Sequence, residues 1–169
     1  REQPGELVRY LEYLGMADKV EFAHVPHFYR SIFPGLDTTL PCGLDAFQNK
    51  LCELFPHEAD GIRRFFGRMI DLMDEFAAFG QVLEARSYRG APPREVWAKA
   101  AQLPFKMRTF PRYMFQNWQS VLQRDVKDVQ AQALISQTWC YFGLPPSQVS
   151  FIYYASGLGA LIKGAYHIK

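Results

Sequence analysis

Residues 60–77 read DGIRRFFGRMIDLMDEFA, and the order of apolar and charged side chains predicts an amphipathic helix. Most of the apolar side chains recur at steps of three and four positions, while arginines and carboxylates fall elsewhere. The apolar set comprises Ile62, Phe65, Phe66, Met69, Ile70, Met73, Phe76 and Ala77. Upstream, Asp45 can cap a helix that runs to Phe55, and Pro56 suits the first turn of the long helix. A helical part is therefore expected from this region onward.

The N-terminal region predicts a different architecture. A short helix is expected over residues 4–13. Residues 20–25 alternate apolar and polar side chains, which is typical of a half-buried strand. Residues 28–33 are aromatic and β-branched, and they are separated by Pro34-Gly35 from a third extended run at residues 38–40. We therefore expect a small antiparallel sheet with a hairpin.

The length and composition fit one globular domain. The chain has 169 residues, of which 49% are apolar, enough for a core of ordinary size. We predict an α+β fold, mostly helical with a small antiparallel sheet near the N-terminus, in a single domain over residues 1–169. Within it, residues 1–43 form the first helix and the sheet, residues 44–164 the helical part, and residues 165–169 a return strand. Because the chain opens at Arg1 without an initiator Met, we expect a piece of a longer protein.

The C-terminal third is marked by its lack of charge. Between Val129 and Ile162 there is no Asp, Glu, Lys or Arg, and residues 143–146 divide this span in two. Each half is too short to cross a bilayer as an untilted helix, and no other run predicts a membrane span. Uncharged helices are usually buried, so both halves are expected in the middle of the fold.

Between Pro104 and Pro111 the chain is expected to be extended or turn-like, after a short helix at residues 94–103.

Two weak motifs favour structural roles. Gly157-Leu158-Gly159 with Gly164 lacks the glycine or alanine that a dinucleotide fingerprint needs at Ile162, so helix packing through small residues is the better interpretation.

The histidines His24, His27 and His57 could be imagined around a metal. His24 and His27 are three apart on an extended segment and so face different ways, which makes a structural role the preferred interpretation. The three cysteines show no paired spacing and indicate neither zinc nor a disulfide framework. No metal site is predicted.

A basic and aromatic segment is more informative. Residues 85–124 contain eight basic side chains and one acidic one, Glu95, although the whole chain has a net charge of only +2. Seven of its basic residues are interleaved with aromatic ones: the basic residues are Arg86, Arg89, Arg94, Lys99, Lys106, Arg108 and Arg112, and the aromatic ones are Tyr88, Trp97, Phe105, Phe110, Tyr113, Phe115 and Trp118. This pattern suits an anionic membrane surface. It also suits single-stranded nucleic acid, or a solvated face whose aromatic rings turn into the core.

The order of motifs resembles the middle of the FAD-dependent phytoene desaturases, carotene isomerases and retinol saturases. The motifs are Leu-Gly-x-x-Asp-Lys-Val-Glu-Phe at residues 14–22, Phe33-Pro34, Leu-Phe-Pro-His-Glu-Ala-Asp-Gly-Ile-Arg-Arg-Phe-Phe at 54–66, Tyr-Phe-Gly-Leu-Pro-Pro-Ser at 141–147 with Ser150 and Tyr153-Tyr154, and Lys-Gly-Ala-Tyr at 163–166. Their order and spacing cover nearly the whole chain. One departure is Ala165, where the family has a second glycine.

The resemblance implies the fold, chemistry and cofactor of the parent protein. Family members are built like amine oxidases: an N-terminal βαβ unit binds FAD, and the middle supplies a substrate domain and helical cap. In the intact enzyme, hydride passes between a carbon-carbon bond of a carotenoid, retinoid or related lipid and the flavin. The FAD fingerprint would precede Arg1, so no cofactor is expected on these residues and no activity from them alone. No catalytic residue can be transferred, because the chemistry belongs largely to the flavin.

An apolar lipid substrate drawn from a bilayer requires a channel and a membrane-facing surface. As a hypothesis, we assign the channel to Phe28, Tyr29, Trp118, Trp139, Tyr141, Tyr153 and Tyr154. Membrane contact is assigned to Trp97, Phe105, Arg108, Phe110, Arg112 and Phe115. For each channel residue, ordinary core packing is the alternative.

The expected partners follow from this assignment. They are an apolar lipid substrate, an anionic membrane surface and the remaining FAD-binding part of the same protein, with a homodimer possible. The alternative function is a non-enzymatic lipid-binding or membrane-docking module. A nucleic-acid binder is the weakest alternative, and no nucleic acid is predicted as a partner.

Overall fold

A computed structural model describes residues 5–87, 94, 98, 101–102 and 107–168. These residues are mostly helical and contain antiparallel strand pairs, which confirms the predicted α+β class. The chain divides into two compact units: a sheet unit of Arg1–Lys50 with Leu161–Lys169, and a helical unit of Leu51–Ala160. The expectation from the sequence that residues 1–169 form a single domain stays a prediction.

The sheet unit contains helix α1 (Gly5–Tyr13), strands β1 (Phe22–Val25), β2 (His27–Phe33), β3 (Leu36–Pro41) and β4 (Ala165–Ile168), and the start of helix α2 (Leu44–Leu54). Strands β2 and β3 form the predicted hairpin. Its turn contains Gly35, whose φ of 81° lies in the left-handed region that glycine adopts without a steric penalty. Leu40 and Phe47 are fully buried and mark the core of this unit.

Strand β1 pairs with β4 and not with the hairpin. The register runs from Phe22 opposite Ile168 to Val25 opposite Ala165. The sequence predicts one small sheet for the N-terminal strands, whereas the described residues form two separate strand pairs. Only Pro26 separates β1 from β2, and a single residue cannot form the turn that would fold one strand back on the other. Strand β4 lies at the position predicted for a return strand.

The helical unit contains the end of α2, then α3 (Ala59–Ser87), α4 (Thr109–Tyr113), α5 (Trp118–Asp125), α6 (Val129–Ile135), a 3₁₀ helix (Gln137–Phe142) and most of α7 (Phe151–Lys163). Helix α3 is the predicted long helix, and its buried stripe consists of Ile62, Phe65, Phe66, Met69 and Leu72. Ile70, expected in this stripe, is 36% exposed, because the helical period places it at the stripe's edge.

The path before Pro111 differs from the sequence-based expectation. An extended or turn-like path was expected between Pro104 and Pro111, but α4 already begins at Thr109. Proline fits within a first helical turn, because the N–H groups there have no acceptor inside the helix. Pro104 and most of the short helix predicted over residues 94–103 lie outside the described residues.

The uncharged span of residues 129–162 forms α6, the 3₁₀ helix and most of α7, and it is only partly buried. Leu134 and Phe151 have no exposed surface, but Tyr141 is 78% exposed and Tyr153 60%. The prediction that both halves lie in the middle of the fold is therefore wrong for one side of each half, because a surface helix buries only the face that meets a neighbour. Along the described part of the chain, no helix has both the length and the apolarity to cross a bilayer.

Candidate functional site

Two of the predicted channel residues, Trp118 and Tyr154, lie in the core of the helical unit. Neither has exposed surface, and their ring centroids are 4.1 Å apart. The Trp118 ring also meets Phe65 edge-on at 4.9 Å and stacks on Phe151 at 5.8 Å. We call these four residues the aromatic cluster. Its ring geometries are those that aromatic side chains prefer in a packed core.

The polar atoms of the aromatic cluster have partners within the helical unit. The indole Nε1 of Trp118 donates to Ser136 Oγ at 2.8 Å, and the Tyr154 hydroxyl donates to the Ser136 carbonyl at 2.9 Å. Thr138 Oγ1 lies 2.9 Å from the same hydroxyl. Burial raises the pKa of Tyr154 to about 12, because ionisation would place a charge in an apolar surrounding. Trp118 and Tyr154 therefore have the satisfied contacts of core residues.

Helix α7 packs closely through its glycines. A Cβ atom added at Gly157 would overlap the Phe142 ring, and one added at Gly159 would overlap the Met73 side chain. The absent side chains thus allow close approach, which agrees with helix packing as the interpretation of this motif. The same crowding leaves no cradle for a cofactor phosphate at these two glycines, so this motif does not fit an FAD site.

The other predicted channel residues lie elsewhere. Trp139, Tyr141 and Tyr153 are 44%, 78% and 60% exposed. Phe28 and Tyr29 belong to the sheet unit, where both are half-buried with ring centroids 6.0 and 6.2 Å from that of Phe47. The structure therefore joins Trp118 with Tyr154 and leaves three of the predicted residues at the surface. The assignment of these residues to substrate binding stays a prediction.

The predicted membrane contacts include an exposed basic and aromatic turn, which we call the tip and define as residues 108–115. Arg108 and Arg112 are exposed, Met114 is 42% exposed and Phe115 is 91% exposed. Phe110 differs, because it is half-buried and its ring lies 5.9 Å from that of Phe76. Phe110 therefore anchors the tip. Trp97 and Phe105, also predicted as membrane contacts, lie outside the described residues.

A buried carboxylate, Glu75 of α3, holds the tip in shape. Its Oε1 accepts from the N–H groups of Arg108 at 2.7 Å and Thr109 at 2.5 Å, and its Oε2 accepts from Phe110 at 2.8 Å. These bonds satisfy three N–H groups at the start of α4. Glu75 could not be predicted as part of the site, because a contact across 33 positions leaves no local pattern in the sequence. Since its carboxylate already occupies the helix start, a lipid phosphate at the tip would have to meet the arginine side chains.

A second buried carboxylate fixes the start of α6. Glu58 Oε1 accepts from the N–H groups of Lys127 and Asp128, both at 2.7 Å. Asp128 caps α6 by accepting from the Ala131 N–H at 3.0 Å, and His57 Nε2 lies 3.1 Å from its other oxygen. The Ala131 bond and His57 lower the pKa of Asp128, because both favour the carboxylate over the acid. His57, one of the histidines considered as a metal ligand, thus faces a helix cap.

Helices α3 and α5 meet at Asp125, whose side chain is 6% exposed. It forms ion pairs with Arg64 at 3.5 Å and with Arg68. A Cβ atom at Gly61 would overlap the Asp125 carbonyl oxygen, so the backbones approach closely here. Among the residues that the structure describes, no group of three His, Cys, Asp or Glu side chains is arranged to hold a metal.

Comparisons of the chain with protein-family models, with curated proteins and with solved structures gave no match. The resemblance to the phytoene desaturase family therefore rests on the quoted motifs alone.

Proposed function

We propose that this chain is the substrate-binding and membrane-facing part of an FAD-dependent oxidoreductase that acts on a carotenoid, retinoid or related apolar lipid. The membrane contact is peripheral, on the cytoplasmic side or inside an organelle. FAD itself would be held by another part of the same protein. The ordered run of family motifs supports the enzyme class, and the tip supports the membrane contact.

The single observation that carries the membrane contact is Phe115. Its side chain is 91% exposed next to the half-exposed Met114. Exposure of this apolar surface to water costs free energy, which is recovered when the side chain enters the headgroup boundary of a membrane. Arg112, three residues earlier, and Arg108 place positive charge on the same turn. Each basic residue near an anionic surface contributes about 1 kcal/mol.

Acidic groups limit how much of the affinity can come from charge. Asp71 and Asp74 are exposed on α3, one turn and one residue before Glu75. They oppose part of the attraction between the tip arginines and anionic lipid. Insertion of Phe115 therefore has to supply a substantial share of the binding free energy.

Vesicle flotation tests the membrane contact. We expect the protein to float with phosphatidylcholine vesicles that contain phosphatidylserine, and more weakly with phosphatidylcholine alone. Phe115→Ser should lower the affinity clearly, and Arg108→Gln with Arg112→Gln should lower it by about fivefold for each charge removed. Matched controls are Ile32→Ser, a 69% exposed apolar residue of the sheet unit, and Arg63→Gln on the exposed side of α3.

The possible outcomes separate the alternatives. Equal binding by the tip variants and the wild-type protein would contradict the role of the tip. Binding to a single-stranded oligonucleotide with no binding to vesicles would favour the nucleic-acid alternative.

The enzyme class has its own test in the coding sequence upstream of Arg1. We expect it to encode a strand followed by a Gly-x-Gly-x-x-Gly turn, because that turn lets the backbone approach the FAD pyrophosphate. Absence of such a turn from the complete gene would exclude the oxidoreductase. A membrane-docking module would then remain, and the exposed tip favours it independently of any redox chemistry.

A further inference from the structure

The helical unit carries a second exposed apolar surface, separate from the tip. Trp139, Tyr141, Leu144 and Tyr153 are 44% to 78% exposed, and they lie within the span that contains no charged residue. We call these four residues the uncharged surface. Tyr153, at the start of α7, packs edge-on against Phe142 of the 3₁₀ helix at 5.6 Å, so both elements contribute to it. Apolar side chains that are exposed together are the kind of surface that contacts proteins or membranes.

Backbone hydrogen bonds join the segment that leaves the tip to the segment that leads to Tyr153. The residue after Phe115, Gln116, accepts from the Phe151 N–H at 2.8 Å. Two residues further on, the backbone N–H of Trp118 donates to the Val149 carbonyl at 3.0 Å, and Asn117 and Ser150 form an antiparallel bridge. The segment that leaves the tip is therefore bonded to the segment that enters α7. Tyr153, two residues after Phe151, therefore lies near the base of the tip.

The charges of the neighbouring segments fit an anionic bilayer. From Met107 to Lys127 the exposed charged residues are all basic: Arg108, Arg112, Arg124 and Lys127. The acidic residue in this stretch, Asp125, is buried against Arg68. Asp128, the next acidic residue, caps α6 and pairs with His57. Tryptophan and tyrosine concentrate at headgroup level in membranes, where an apolar ring and a polar group are both accommodated.

We propose that the uncharged surface is a second membrane contact, which enters the headgroup boundary of an anionic bilayer together with the tip. This inference rests on the proposed membrane contact of the tip and assigns the remainder of the contact area. It gives Trp139, Tyr141 and Tyr153 a role at the bilayer surface in place of the substrate channel. Two contacts also restrict the orientation of the helical unit on the membrane. With the tip as its single contact, the unit could rotate about that point.

Tryptophan fluorescence tests this proposal directly. The chain has three tryptophans, of which Trp118 is fully buried and hydrogen-bonded to Ser136. In a Trp97→Phe background, the 44% exposed Trp139 is therefore the tryptophan that a lipid quencher can reach. We expect a blue shift and quenching on binding to phosphatidylserine vesicles that carry bromine on the acyl chains. The matched Trp97→Phe/Trp139→Phe variant, which keeps only the buried Trp118, should show neither spectral change when vesicles are added.

The outcomes distinguish this proposal from the proposed function. Flotation without quenching of Trp139 would overturn the second contact and leave the tip intact. Failure of the wild-type protein to float with these vesicles would overturn both.

Affinity provides a second readout that does not depend on tryptophan. Tyr141→Ser with Tyr153→Ser should weaken vesicle binding several-fold, because membrane affinity scales with the apolar area that enters the boundary. Tyr13→Ser, at an 88% exposed tyrosine of the sheet unit, should leave it unchanged. Unchanged vesicle affinity of the double variant, together with a shift from dimer to monomer in sedimentation, would instead identify the surface as a contact between copies of the chain.

Discussion

The aromatic cluster and the tip use the same kinds of side chain for opposite purposes. Around Trp118 the rings have no exposed surface, and their polar atoms are paired with Ser136 and Thr138. At the tip, Phe115 is 91% exposed. The backbone N–H groups at the start of this turn donate to the carboxylate of Glu75. Aromatic content alone does not distinguish the two regions. What separates them is whether a neighbouring element supplies a surface to pack against.

Removal of one ring from each region should give the largest contrast. Trp118→Ala should lower the free energy of unfolding by about 3–5 kcal/mol, because it leaves a cavity and removes the donor to Ser136. Phe115→Ala should change it by less than about 0.5 kcal/mol, as exposed substitutions do. Urea denaturation measures both free energies. In vesicle flotation, Phe115→Ala should lower binding more than Trp118→Ala does. A comparable loss of stability in both variants would show that Phe115 packs against neighbouring residues and is not exposed to solvent.

A smaller contrast is expected from two helical glycines. Gly157→Ala should cost about 1–3 kcal/mol, because the new methyl group overlaps the Phe142 ring beside the aromatic cluster. Gly67→Ala meets nothing within 4 Å on α3 and should stabilise the protein by about 0.5–1 kcal/mol through helix propensity. Thermal unfolding compares them. If Gly157→Ala proved neutral, α7 could shift without cost, and the close packing assigned to it would be wrong.

The smallest of the three effects concerns pH and the buried hydroxyl of Tyr154. Its pKa is about 12 in the folded protein and about 10 in an unfolded chain, so the stability from its neutral form is complete below about pH 10. That stability is lost as the pH rises towards 12, by about 1.4 kcal/mol at pH 11. Urea denaturation at pH 8 and pH 11 should show this loss in the wild-type protein and not in Tyr154→Phe. An equal loss in the variant would assign it to other groups.

Several elements could be predicted from local pattern alone. The periodicity of residues 60–77 identified α3, and Pro34-Gly35 identified the β2–β3 hairpin. The start of α4 before Pro111 could not be foreseen, because it depends on a carboxylate 34 positions earlier than Thr109. The pairing of β1 with β4 likewise joins the two ends of the chain. The exposure of Tyr141 and Tyr153 was missed because lack of charge indicates low polarity but does not specify which side a helix buries.

For the candidate site, the sequence located the basic and aromatic segment but did not assign each ring. Arg108, Arg112 and Phe115 are exposed in the structure, whereas Phe110 is the anchor of the tip and Trp118 belongs to the core. A count of basic and aromatic residues cannot make this distinction, since both roles need the same side chains.

The sequence by itself determined the helical periodicity, the hairpin and the concentration of basic and aromatic residues in one segment, because these follow from neighbours a few positions apart. Only the tertiary structure established which aromatic rings are covered, which glycines must stay small and which carboxylates cap distant helices. Those properties depend on contacts between residues far apart in the chain, where burial and hydrogen-bond partners are set by packing and not by local pattern.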